Sequence, residues 1–176
     1  MKAVVLISVA LTSVSPLGAA SPTPTITPES SRPTSRLAAE FRQFDFWLGR
    51  WKVTNLQGKE VGTSEISRVS QGCAIREEWK ANSGLSGASI NYYDTADHQW
   101  HQDWVGGDGT ILHLHGGLKD SAMVLVGNTK SVNGTVVNRI TWTLVPGGKI
   151  KQAWATSIDN NDSWHIAFVG IYEKQP

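Results

Sequence analysis

Clusters of Gly, Asn, Asp and Pro interrupt the chain at short intervals, and this punctuation constrains the fold more than any other feature. The clusters lie at 55–58, Gly72, 82–84, 94–97, 106–109, 119–120, 128–134, 146–148 and 159–162. The runs between them are roughly 6 to 9 residues long and rich in β-branched and aromatic residues, which is typical of strands in all-β barrels and sandwiches. The sequence therefore predicts an all-β fold.

Ten strands are predicted, and the short intervals between them indicate hairpins. We place them near residues 49–54, 62–69, 74–80, 86–94, 99–105, 110–118, 121–127, 136–144, 149–157 and 164–172. An open meander of this size exposes two sheet edges, and closure removes both of them. We therefore predict a closed up-and-down antiparallel β-barrel of about ten strands, with Trp47 and Trp51 plugging its lower end.

The first 20 residues have the pattern of a cleaved secretory signal. A lone early charge, Lys2, precedes an apolar run over residues 3–11, and small residues follow at Gly18 and Ala20. That apolar run is too short to span about 30 Å of hydrocarbon. We expect a signal peptide over 1–20 and a secreted or periplasmic protein, with no stable membrane insertion after cleavage.

The next segment has little that a fold could bury. Residues 21–35 are rich in Pro, Ser and Thr, which predicts a disordered linker. The barrel domain is predicted over 36–176. Its first residues favour a short helix that is capped by Ser35 and covers one end of the barrel. Three residues would form the apolar face of this helix: Leu37, Phe41 and Phe44.

Charge and cysteine content exclude several classes of protein. Sixteen Lys and Arg residues less Lys2 leave 15, which balance 15 Asp and Glu residues after signal removal. A neutral chain without a basic run has no electrostatic footprint for nucleic acid. Cys73 is the only cysteine, so an intramolecular disulfide is impossible. Its neighbours are small, which favours a buried, inert Cys73.

Side-chain alternation predicts an interior that is apolar but not wholly so. Trp100, Gln102 and Trp104 fall on one face of their strand, and Trp154 shares a face with Gln152. Tryptophan beside glutamine on inward faces is the first indication of a ligand cavity, and we expect a small hydrophobic molecule as the partner. The predicted ligand-binding residues are Trp79, Tyr93, Gln102, Trp104, Arg139, Trp142, Gln152 and Trp154.

Seven segments together resemble the DUF1579 family and related exported proteins of the calycin, or lipocalin-like, group. They are 44–51, 72–79, 93–94, 100–105, 123–127, 139–142 and 164–172. The resemblance covers about residues 41–173 and implies a small barrel that binds an apolar or amphipathic molecule. In lipocalins the Trp of a Gly-x-Trp step closes the barrel floor beneath a basic residue. Trp51 fits that role, whereas Lys174 lies beyond the predicted last strand and Arg139 lies two strands earlier.

Two adjacent glutamates make an enzyme the alternative hypothesis. Alternation sends either Glu77 or Glu78 inward. Glu78 would share a face with Arg76 and could pair with Arg139 across the lumen, while Glu77 would lie beside Trp79. A buried carboxylate with a raised pKa suits a general base of an isomerase or cyclase, but an ion pair or hydrogen bond that only fixes the barrel interior is the favoured explanation. The candidate catalytic residues are Glu78 and His101, and a hydrolase would use the same pocket.

The histidines are candidate metal or haem ligands. His113 and His115 share a strand face, and His98, His101 and Asp103 cluster one strand earlier. The chain has no HExxH motif and no second cysteine, so we predict no metal site and no cofactor. Haem binding is the least favoured alternative, and it rests on the similarity of outline to nitrobindin-like barrels, which carry haem on a late histidine. The corresponding residue here is His165.

Overall fold

The computed structural model describes residues 39–132, 134–159 and 162–176. The predicted signal peptide and linker lie outside the described residues, as do Ser35 and Leu37. The described chain begins with two short 3₁₀ helices, Ala39–Arg42 and Asp45–Trp47. Ten strands follow: β1 Gly49–Thr54, β2 Glu60–Val69, β3 Ala74–Ala81, β4 Ser86–Asp94, β5 Gln99–Gly106, β6 Ile111–Lys119, β7 Ala122–Ser131, β8 Gly134–Val145, β9 Lys149–Ser157 and β10 His165–Lys174.

The ten strands form a closed antiparallel barrel, which confirms the predicted fold class. Each strand pairs with its neighbour in sequence, and β10 returns to pair with β1. Val53 lies opposite Tyr172 at this closing seam. Closure leaves neither β1 nor β10 with an unpaired edge along the seam. No helix in the described part of the chain is both long and apolar enough to cross a membrane.

The plug at one end of the barrel is aromatic, as predicted. Phe44 and Trp47 are fully buried and stack with ring centroids 4.8 Å apart. Phe44 also packs edge-on against Trp100 and Trp142, at 5.6 and 5.1 Å. The indole Nε1 of Trp51 donates a hydrogen bond to the carbonyl oxygen of Trp47 at 2.9 Å. The short helices and the first strand therefore close this end jointly.

Lys174 does reach the barrel floor, contrary to the prediction that it lies beyond the last strand. It is the final residue of β10 and lies opposite Trp51 in β1. Its Nζ lies 5.5 Å from the centroid of the Trp51 indole ring, within range of a cation–π interaction. The strand extends further than predicted because β1 supplies hydrogen-bonding partners beyond Tyr172.

Two other predictions are wrong in detail. Cys73 is exposed, because it follows a turn in which Ser70 and Gln71 adopt left-handed backbone angles of 51° and 57° in φ. Alternation along the last strand predicts that Ile166 shares the inward face with Phe168 and Tyr172, but Ile166 is exposed, since the register shifts between Ile166 and Phe168. Such a bulge reverses the alternation of side chains along the strand.

The close approach of two strand backbones requires a glycine at position 127 of the inner wall. A Cβ atom at Gly127 would lie 2.0 Å from the carbonyl oxygen of His113, and a strand backbone cannot shift to relieve that clash without breaking its ladder. We expect Gly127→Ala to lower the free energy of unfolding by about 1–3 kcal/mol. Urea denaturation measures this, with Gly117→Ala as the matched control because a Cβ there has nothing within 4 Å. Equal losses in the two variants would contradict the close approach.

Candidate ligand-binding cavity

The barrel interior contains a cavity of about 260 Å³. Three polar side chains, Glu77, Gln102 and Gln152, lie on a wall that is otherwise mostly apolar. The complete lining is Glu77, Trp79, Gln102, Trp104, Leu112, Ile140, Gln152, Trp154, Ala167, Phe168 and Tyr172. These residues come from strands β3, β5, β6, β8, β9 and β10, so the cavity depends on the closed barrel rather than on any one hairpin.

Three tryptophans are partly exposed where the cavity opens, and two glycines make room for two of them. A Cβ at Gly62 would lie 2.7 Å from the Trp79 ring, and one at Gly87 would lie 2.3 Å from the Trp104 ring. Each indole therefore lies flat across the backbone of the neighbouring strand. The Nε1 of the third, Trp154, donates a hydrogen bond to Asn138 Oδ1 at 3.0 Å, which fixes its ring.

Glu77 is the buried carboxyl group of the cavity. The hydroxyl of Ser64 donates to its Oε1 at 3.0 Å, and the hydroxyl of Ser89 donates to its Oε2 at 3.1 Å. Burial raises the pKa of Glu77 to about 7, because loss of water outweighs the two hydrogen bonds that favour the charged form. Glu77 thus changes charge near neutral pH.

A chain of hydrogen bonds leads away from Glu77 along the inner wall. Asn91 Nδ2 donates to Ser89 Oγ at 2.9 Å, and Gln102 Nε2 donates to Asn91 Oδ1 at 2.8 Å. The donors of Gln102 are thereby directed into the wall. Since the Oε1 of Gln102 has no protein partner among the described residues, a carbonyl acceptor remains for a ligand.

Tyr172 and Gln152 form a second polar pair on the cavity wall. The hydroxyl of Tyr172 donates to the Oε1 of Gln152. Burial, and secondarily the negative charge of Glu77, raise the pKa of Tyr172 well above its ordinary value. Tyr172 therefore remains a neutral donor throughout the physiological range of pH.

Five of the eight predicted ligand-binding residues line the cavity, and three lie elsewhere. Trp142 belongs to the aromatic plug. Tyr93 packs at the same closed end, 5.5 Å from Phe41. Arg139 lies on the outer surface, with its guanidinium 3.8 Å from the centroid of the Trp164 ring. The residues on the wall are Trp79, Gln102, Trp104, Gln152 and Trp154.

Both candidate catalytic residues lie outside the barrel. Glu78 forms an ion pair with Arg76 on the outer face, so its predicted pairing with Arg139 across the lumen is wrong. His101 stacks on Tyr92 at 5.2 Å, and its Nε2 lies 2.9 Å from a carboxylate oxygen of Asp97. Of the two adjacent glutamates, the cavity contains Glu77.

The histidines also lie apart from the cavity. His101 and His115 face each other across β5 and β6, with ring centroids 6.2 Å apart. Asp94, Asp97 and His101 bring ligand-type atoms within 4.8 Å of one another on this outer face. His165, the haem candidate, is exposed at the start of β10 and is not part of the cavity wall.

Four residues of the polar wall were missed by the sequence analysis: Ser64, Ser89, Asn91 and Tyr172. The hydroxyl and amide groups of the first three are small, and such residues usually lie on the solvent face of a strand. A signal was nevertheless present in β4, where Ser89 and Asn91 alternate in phase with Tyr93. Once that face is known to be inward, both must be buried and hydrogen-bonded.

No family model matches the chain, and a search of curated proteins finds no match either. The cavity itself is therefore the basis for assigning a function. Its indole and aliphatic wall can take up an apolar body, while Glu77, Gln102 and Gln152 offer hydrogen bonds to one polar group. A concave apolar site with a few convergent polar groups is the general form of a small-molecule site.

Proposed function

We propose that this barrel binds a small amphipathic molecule in its interior cavity. The observation that carries the proposal is the combination of an apolar, aromatic wall with a buried carboxyl group near the middle of the barrel. A protein that needed only a stable core would gain more from filling this space, because cavities cost packing energy and buried polar groups cost desolvation.

The volume of the cavity sets the size of the ligand. An apolar protein cavity of roughly 150 Å³ accepts benzene, so about 260 Å³ corresponds to a molecule of about ten non-hydrogen atoms. An aromatic ring with a short polar arm fits this description. The ring would lie among Trp79, Trp104 and Trp154, and the arm would reach the polar groups deeper inside.

Isothermal titration calorimetry with 2-phenylethanol tests the proposal. We expect saturable binding that Ala167→Trp weakens at least about tenfold, because Ala167 lines the cavity and is exposed enough to accept a larger side chain. The matched control is Ala88→Trp, an exposed alanine outside the cavity, which should leave the affinity unchanged. Absence of binding to the parent protein, or equal loss in both variants, would refute the proposal.

A second candidate function follows from the charge behaviour of Glu77. A carboxyl group with a pKa of about 7 in a cavity can accept or donate a proton at neutral pH, as a general acid or base does. We propose it as the acid–base group if the protein is an isomerase, cyclase or hydrolase. Turnover of a bound carbonyl compound that Glu77→Gln abolishes and Glu78→Gln preserves would support the enzyme; turnover equal in both variants would exclude it.

Export and family relationship are parts of the same proposal. The apolar run and small residues within 1–20 support secretion or export to a periplasm. The aromatic and glycine motifs between 41 and 173 support a relationship to the DUF1579 and calycin groups. Sequencing the amino terminus of the protein recovered from its own source tests the first part, since a start near Ser21 is expected.

A further inference from the structure

The cavity wall carries an acidic group for which the described residues supply no counter-ion. Glu77 and Tyr172 are the titratable side chains among its lining residues, and no Lys, Arg or His of the described chain lines it. The groups that contact Glu77 are the hydroxyls of Ser64 from β2 and Ser89 from β4. Tyr172 of β10 adds a neutral phenol. The cationic side chains of these strands, Arg68 on β2 and His165 and Lys174 on β10, are not among the residues that line the cavity.

Glu77 also retains capacity to accept hydrogen bonds. An ionised carboxylate has about four lone-pair sites, and the two serine hydroxyls occupy one on each oxygen. A buried carboxylate is costly unless it is paired and hydrogen-bonded. A cationic hydrogen-bond donor on a ligand would both neutralise this carboxylate and fill its remaining acceptor sites.

The aromatic mouth favours the same kind of ligand. Indole faces attract ammonium groups, and cages of aromatic rings are a common means of binding them. A cation entering past Trp79, Trp104 and Trp154 therefore meets rings before it meets the carboxylate. An anion would meet the negative faces of those rings and then the like charge of Glu77.

We propose that the ligand of this cavity is an arylalkyl amine, whose ammonium group pairs with the carboxylate of Glu77 while its ring lies among the three indoles. This inference rests on the proposed function and narrows it to one chemical class. Because the carboxyl group is half protonated near pH 7, binding of the ammonium form displaces its proton. Affinity for the amine should rise as the pH rises from about 6 to about 8.

Three probes that share a phenyl ring and a two-carbon arm but differ in the polar group test the inference: 2-phenylethylamine, 2-phenylethanol and phenylacetate. At about pH 8 we expect the amine to bind at least about tenfold more tightly than the alcohol, and phenylacetate to bind most weakly. In Glu77→Gln the advantage of the amine over the alcohol should fall to about onefold. In Glu78→Gln, whose side chain is outside the barrel, that advantage should persist.

Proton release gives a readout that needs no variant. Calorimetry at about pH 6.5 in two buffers of different ionisation enthalpy should show protons released on binding the amine and none on binding the alcohol. Equal affinities for amine and alcohol in the parent protein, tightest binding of phenylacetate, or no proton release would each overturn the inference while leaving the binding function intact. Failure of all three probes to bind would refute the binding function itself.

Discussion

Replacing Trp47 by alanine should lower the free energy of unfolding by about 3–5 kcal/mol. The Trp47 side chain is fully buried, stacks 4.8 Å from Phe44, and lies 5.2 Å from the Trp142 ring. These neighbours are themselves held by the barrel wall, so they cannot collapse into the space that the indole leaves. The carbonyl of Trp47, which accepts a hydrogen bond from Trp51, belongs to the same short helix and would lose its support.

Urea denaturation followed by far-ultraviolet circular dichroism measures this loss. The matched control is Trp164→Ala, because Trp164 precedes β10 and packs against Arg139 on the outer surface. That variant should lose clearly less than Trp47→Ala, because Trp164 is only part-buried and its ring contacts the Arg139 guanidinium on the outer face. If Trp47→Ala cost no more than Trp164→Ala, the plug would not be closing the barrel.

The pH dependence of stability is the second large effect, and Glu77 is its source. A carboxyl group whose pKa is raised by folding, from 4.5 to about 7, holds its proton longer in the folded chain than in the unfolded one. Its stabilising contribution is complete below about pH 4.5 and is lost as the pH rises through about 7. A shift of this size corresponds to about 3 kcal/mol between these limits.

The difference between two variants isolates this contribution from other titrating groups. We expect the free energy of unfolding of Glu77→Gln to fall less steeply than that of the parent protein between about pH 5 and pH 8, since the amide does not titrate. Glu78→Gln, with its partner Arg76 on the outer face, should retain the parent slope. Identical slopes for Glu77→Gln and the parent would mean that Glu77 is not held in a protonated form by the fold.

Sequence patterns were sufficient to predict the barrel because turns and alternation are local properties. Gly, Asn and Asp clusters mark hairpins through their own backbone preferences, and ten such strands leave closure as the way to remove edges. Predicting which residues line the cavity requires information that side-chain alternation does not contain. Period two shows that Glu77 and Glu78 face opposite ways, but the inward one is fixed only by the register of β3 against β2 and β4.

Side-chain alternation also does not predict how far along the barrel axis a residue lies. Tyr93 and Trp104 both point inward, yet Tyr93 lies beside the plug and Trp104 beside the cavity. The position of each side chain along the barrel axis depends on the stagger of ten paired strands, because small register offsets accumulate around the whole barrel.

Arg139 was misplaced for a different reason. It lies between two inward residues, Asn138 and Ile140, so alternation itself sends it outward, and the hypothesis of a charge partner for Glu78 placed it wrongly.

One spectrum tests the central claim directly, because the eight indole groups are distributed between the cavity, the plug and the outer surface. In a ¹H–¹⁵N correlation spectrum titrated with 2-phenylethylamine at about pH 8, the Nε1–H signals of Trp79, Trp104 and Trp154 should shift in a saturable way. Those of Trp47 and Trp142 in the plug should stay in place. Saturable shifts of the plug signals alone, or no saturable shift of any indole signal, would contradict ligand binding in this cavity.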